Sequence, residues 1–145
     1  MILSRLSGAG SGFQTHFIAY RPGIDCHQPE ALADFWCAAL GFAVIERTAE
    51  FVSIGSPALR GEGGLMRSAG EGSGTPILTF ARVPEGKGVK NRLHLDLTPH
   101  GVSQEEEVRR LIILGARPID IGQGIQEWVV MADPEGNEFC VLPDR

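Results

Sequence analysis

Polar and apolar residues alternate strictly through Arg92-Leu93-His94-Leu95-Asp96-Leu97. This is the period of a β-strand, with three leucines on one face and Arg92, His94 and Asp96 on the other. A cation, an imidazole and a carboxylate in one row exceed what a solvated sheet face needs, and they suit the floor of a binding cavity. Two other segments carry the period of a helix. In the first, Leu32, Phe35, Trp36, Ala39 and Leu40 make one apolar stripe behind Pro29-Glu30, and Gly41 supplies a left-handed cap. In the second, Ser103 and Glu106 form a capping box, and Glu105 and Glu107 put negative charge at the positive end of the helix dipole. Val108, Leu111 and Ile112 form its predicted buried stripe, and Gly115 closes it.

Both helices end in Leu-Gly, at Leu40-Gly41 and Leu114-Gly115, 74 residues apart. The flanks repeat as well. A short aspartate-bearing strand precedes each helix, Ile24-Asp25-Cys26 in one half and Leu95-Asp96-Leu97 in the other. Residues 51–57 answer residues 128–134, and strands ending in proline, residues 77–84 and 138–143, close the two halves. Each half therefore reads strand, helix, strand, strand, strand. The pattern predicts an α+β fold: two βαβββ modules whose curved mixed sheet encloses a cup-shaped cavity, with the helices outside. An α+β sandwich in which the doubled Leu-Gly is coincidence is the other architecture the pattern allows.

The predicted organisation is a loosely ordered leader over residues 1–14 and a single domain over 15–145. Module 1 covers about 15–84, a linker about 85–89 follows Pro84 in Glu85-Gly86-Lys87-Gly88, and module 2 covers about 90–145. The glycine-dense stretch 58–75 lacks the Lys-Ser/Thr of a phosphate-binding loop, so it reads as a flexible connection.

Composition narrows the function classes. At 145 residues and 43% hydrophobic, the chain can bury one core. A net charge of −5 with no basic run argues against nucleic acid as a partner. No run approaches the ~18 apolar residues of a membrane span. Cys26, Cys37 and Cys140 form an odd set without a C-x-x-C pair, and the N-terminal stretch lacks a signal-like apolar core. A cytoplasmic protein with reduced thiols is expected.

If His94 faces the cup, parity places Arg92 and Asp96 beside it and puts Glu138, Cys140 and Leu142 on the same side of the last strand. Asp25 shares a face with Gly23 and Arg21 in the first strand. Parity leaves open whether Glu127, Val129 and Met131 or Trp128 and Val130 point inward. Each candidate also has a structural reading: Arg92 with Asp96 as an ion pair, Cys140 as a small buried apolar group, His94 as a satisfied core histidine.

Three stretches together resemble the glyoxalase-like domains of the vicinal oxygen chelate superfamily. They are Phe35-Trp36 leading to Leu40-Gly41-Phe42, the run from Lys90 to Leu97, and Asp133-Pro134-Glu135-Gly136-Asn137-Glu138-Phe139-Cys140. The resemblance spans nearly all of the chain from about residue 15. It implies paired βαβββ modules and, in metal-using members, an octahedral divalent ion held by the first and last strands of both modules. Carried over residue by residue, His94 matches the ligand on the first strand of module 2. Arg21 falls at the histidine position of module 1, with His16 out of register. Cys140 takes the place of the glutamate on the last strand, and residues 77–83 offer no carboxylate. No metal is therefore expected; if one binds, His94 and Cys140 would hold it. The expected function is small-molecule binding in the cup by Arg92, His94, Asp96, Glu138, Cys140 and Asp25. The alternative is a metal-dependent lyase, isomerase or dioxygenase using His94 as ligand or general base. The resemblance also implies a homodimer.

Overall fold

The computed structural model describes residues 21–59 and 76–145. The expected leader, His16 and most of the glycine-dense stretch lie outside them. Module 1 contains β1 (Gly23–Cys26), α1 (Pro29–Leu40), β2 (Ala43–Arg47), β3 (Phe51–Gly55) and β4 (Leu78–Arg82). Module 2 repeats the order with β5 (Asp96–Leu97), α2 (Gln104–Leu114), β6 (Arg117–Pro118), β7 (Val129–Ala132) and β8 (Glu138–Val141). They form two four-stranded sheets, ordered β1-β4-β3-β2 and β5-β8-β7-β6. In each, the first strand runs parallel to the last and the other pairs are antiparallel. The parallel pair needs a crossover, and the helix provides it.

The predicted strand over 92–97 shrinks to its last two residues. Asp96 and Leu97 pair with Cys140 and Val141. Upstream, the Asn91 N–H donates to the Glu138 side chain at 2.9 Å instead of joining the ladder, so the chain bends away at Arg92 and Leu93. Leu93, expected on the buried face, is 90% exposed, while Leu95 and Leu97 pack against the core.

Helix α1 buries Leu32, Ala33, Phe35 and Trp36, whereas α2 fully buries only Leu111. Val108 and Leu114 lean on the core, but Ile112, expected in the stripe, is exposed. The reason is the narrow sheet beneath α2, where β5 and β6 are two residues long and cover little of the helix. The caps form as predicted: Gly41 and Gly115 sit at φ +67° and +117°, and the Ser103–Glu106 box closes in both directions.

One core joins the modules. Trp36 of α1 meets Phe139 of β8 edge to face with centroids 5.1 Å apart, and its Nε1–H donates to buried Asp133 at 3.1 Å. The Asp133 carboxylate also accepts from the backbone N–H groups of Glu135 and Asn137 and from the Asn137 amide, which tightens the turn before β8. Helix α1 has no capping side chain of its own at Gln28 and no basic residue in its last turn. Module 2 supplies both. Glu135 accepts the His27 and Gln28 N–H groups at 2.6 and 3.0 Å. At the other end, Arg110 donates to the carbonyls of Ala38 and Ala39 at 3.0 and 2.8 Å. An anion at the N-terminus and a cation at the C-terminus both complement the α1 dipole, so the same contacts that stabilise this helix dock the modules.

Candidate functional site

The parallel register of β5 against β8 builds the floor of a cavity of about 450 Å³ in module 2. Because Asp96 lies opposite Cys140, and His94 and Glu138 each stand two residues away, all four side chains share one face. Backbone bonds from Cys140 N–H to Leu95 O (2.9 Å) and from Leu142 N–H to Leu97 O (2.8 Å) fix that register. Lys90 and Gln123 complete the polar lining, and Ile121, Trp128, Val130 and Leu142 supply the apolar wall. The face left undecided by parity is thereby settled: Trp128 and Val130 point into the cavity, and Val129 and Met131 face the core.

His94 Nδ1 lies 2.9 Å from Asp96 Oδ1. With Nδ1 as the donor, the carboxylate orients the ring and leaves the Nε2 lone pair available. Cys140 lies beside the pair, and one ligand atom from each of His94, Asp96 and Cys140 falls within 4.8 Å of the others. Burial, then the charge of Asp96 and a hydrogen bond to it, raise the Cys140 thiol above its ordinary range, outweighing Lys90. The neutral thiol is a poor nucleophile. Burial opposes ionisation of Glu138, but the Lys87 ammonium at 2.9 Å and the Asn91 N–H outweigh it and hold the carboxyl below its usual value. Glu138 is therefore anchored by the linker.

Four of the six predicted site residues come together: His94, Asp96, Glu138 and Cys140. The other two do not join them. Arg92 and Asp25 line a separate cavity of about 540 Å³ between β1 and the linker, because the bend at Arg92 breaks the alternation that would have aimed it alongside His94. The expected pairing of Asp96 with Arg92 is likewise replaced by its pairing with His94. In the repeat Ser53 answers Val130, and their partners Thr79 and Cys140 therefore correspond; Thr79 pairs with Gly23 as Cys140 pairs with Asp96, which sets Arg21 at the position of His94. Arg21 is 3.6 Å from Glu46, an exposed pair. Lys90, Gln123, Ile121 and Trp128 were missed as lining residues. Trp128 could have been found by strand parity once its face was known, but residues 121 and 123 lie in a loop with no period to read.

An octahedral hard cation does not fit this set. Such an ion wants oxygen and imidazole donors from both modules. At the module 1 counterparts, the Arg21 guanidinium has no lone pair to give and the Thr79 hydroxyl is hydrogen-bonded to Ser53 at 2.9 Å. In module 2 a thiol occupies one position.

Residues 23–142 match the family profile described as a glyoxalase-like domain. Solved structures agree on the fold. A glyoxalase/bleomycin resistance protein/dioxygenase family enzyme from Burkholderia phytofirmans is 20% identical, with 82% of this chain and 92% of that one covered at a TM-score of 0.54. A hypothetical protein from S. aureus is 16% identical, covering 90% and 97%, at a TM-score of 0.58. A fosfomycin resistance protein from Listeria monocytogenes, complexed with Mn(II) and 1S,2S-dihydroxypropylphosphonic acid, is 10% identical, covering 86% and 88%, at a TM-score of 0.55. Among functionally curated proteins, none is significantly similar to this chain.

Proposed function

Because this chain belongs to the glyoxalase-like domain family, we propose that it binds an organic small molecule in the module 2 cavity. An apolar body would lie against Trp128, Val130 and Leu142, and a hydrogen-bonding head would meet His94 and Asp96. The observation that carries this reading is the cavity itself. Its volume of about 450 Å³ suits a small ligand, and it combines a compact polar cluster with an aromatic and aliphatic wall. The reading requires no hard metal ion, consistent with the donors present.

The test uses the full chain and fragments that join an aromatic ring to a carboxylate, alcohol or amide. Trp36 is buried against Asp133 while Trp128 lines the cavity, so a ligand there quenches Trp128 emission. Saturable quenching is expected, with affinity about tenfold weaker in His94→Ala, the equivalent of one lost hydrogen bond to a charged or polar head. No saturable signal from any fragment, or affinities indifferent to His94→Ala and Asp96→Ala, would overturn the reading.

The working unit in this proposal is a homodimer in the cytoplasm. Val89 and Leu93, 83% and 90% exposed, stand beside Gly23 and Ile24 of the edge strand β1, a surface that a second copy would cover. Three free thiols accord with a reducing compartment, and no helix among the described residues is long and apolar enough to cross a membrane. Sedimentation at micromolar concentration should give a dimer; a monomer alone would refute that part.

A further inference from the structure

Nearly every polar group lining the module 2 cavity is already occupied by a neighbour. Asp96 lies 2.9 Å from His94 Nδ1, and Glu138 holds the Lys87 ammonium on Oε1 and the Asn91 N–H on Oε2, each at 2.9 Å. Gln123 spends its side-chain oxygen on the Ile121 N–H at 2.7 Å. Lys90 is the exception. Its ammonium bonds only the carbonyl of the adjacent Asn91, at 3.1 Å, and it forms no ion pair among the described residues. An ammonium has donors to spare beyond one such bond.

From this imbalance we infer that the ligand of the module 2 cavity is an organic acid, with its carboxylate bound by Lys90 at the rim and its apolar body turned toward Trp128, Val130 and Leu142. The inference rests on the reading of that cavity as a small-molecule site and adds the chemical class of the ligand. A cationic head would meet the Lys90 charge and find both carboxylates of the lining already paired; a carboxylate meets the one charge that still lacks a partner.

The placement of Lys90 supports this. Its backbone lies between Lys87 and Asn91, and one side chain, Glu138, holds both of them. Because Glu138 stands on β8, the linker is pinned to the sheet on either side of Lys90, which reduces what binding must spend on ordering that segment. The charge of Lys90 is also felt at the cavity floor, where it opposes the effect of Asp96 on the Cys140 thiol. Arg92, the cation that strand alternation placed in this cavity, lines the other one and does not compete for the acid.

The test compares three fragments with the same aromatic body, 3-phenylpropionate, 3-phenylpropanamide and 3-phenylpropan-1-ol, by quenching of Trp128 emission in the full chain. The carboxylate should bind about tenfold tighter than the amide or the alcohol, as a hydrogen bond between two charged groups implies. Lys90→Gln should bring the three affinities together by weakening the carboxylate alone, and Lys90→Arg should restore the preference. Lys90 is exposed and bonds only its neighbour's carbonyl, so both variants keep the fold. Arg92→Gln, which removes a cation from the other cavity, should leave the preference intact. If the amide and the alcohol saturate but the carboxylate shows no advantage, or if its advantage survives Lys90→Gln, the organic-acid inference falls while the cavity reading stands. Saturation by none of the three overturns both.

Discussion

Replacing Asp133 with alanine tests the junction between the modules. The carboxylate is completely buried and accepts from Trp36 Nε1 at 3.1 Å, from the Glu135 and Asn137 backbones at 2.9 and 3.0 Å, and from the Asn137 amide. In Asp133→Ala the Glu135 and Asn137 groups, half-exposed, can turn to water. The indole N–H of Trp36, with that residue 2% exposed, has no such recourse. An unsatisfied buried donor costs about 1–3 kcal/mol, and lost hydrogen bonds to a charged acceptor cost about as much again. Removing a carboxylate whose pKa is raised by burial returns part of this, because the native protein no longer has to hold that charge out of water. The expected net loss is about 3 kcal/mol, or roughly 6–12 °C in Tm for a chain of this size. Urea unfolding followed by circular dichroism measures it, with an unchanged m-value showing that the unfolded state is not the cause. A double-mutant cycle with Trp36→Phe should give a coupling of about 1.5 kcal/mol between the two side chains. The pH dependence has a definite sign. The folded state holds the Asp133 proton more tightly than the unfolded chain, so the carboxyl's contribution is greatest below the unfolded value and falls as pH rises through the folded one. The deficit of Asp133→Ala should therefore be larger in acid than at neutral pH. A loss under about 0.5 kcal/mol, typical of an uninvolved surface position, or zero coupling to Trp36 would refute the account.

Glu135→Ala removes the anion that caps α1 from module 2 and should cost about 1 kcal/mol by urea unfolding, a typical N-cap loss. Glu138 titrates with the opposite sign to Asp133: its folded pKa lies below the ordinary value of about 4.5, so its stabilisation is present above that pH and lost as pH falls through the folded value. Comparing wild-type and Glu138→Gln melting points between about pH 7 and about pH 2 should show the wild-type advantage vanishing in acid; a constant difference would contradict it. Burial, followed by the charge of Glu135, pushes the Cys26 thiol up to about 12, so under native conditions at neutral pH iodoacetamide should leave Cys26 unmodified while half-buried Cys37 reacts slowly. Mass spectrometry of peptides reads this directly, and equal labelling of the two would count against it.

Local chemistry was legible in the sequence wherever it depends on near neighbours. The spacing of Leu32, Phe35 and Trp36, the Ser103–Glu106 box and the glycines after Leu40 and Leu114 specify two helices and their ends, because propensity, capping and apolar period act within one or two turns. The internal repeat then yielded the module order, and parity grouped Glu138 with Cys140 and His94 with Asp96.

What lay beyond it was long-range. Nothing local says that Glu135 and Arg110 cap the two ends of a helix that lies 70 or more residues away in the chain, at Gln28 and Ala39. Nor does alternation reveal where a strand loses its partner: the Asn91 bond to Glu138 ends β5 early, and that single contact sends Arg92 and Leu93 out of the site. The sequence by itself determined two helix-bearing modules and the residue types of a polar floor. Tertiary structure decided which of those residues meet, because strand register and module docking are set by pairings between distant segments whose energies no short window contains.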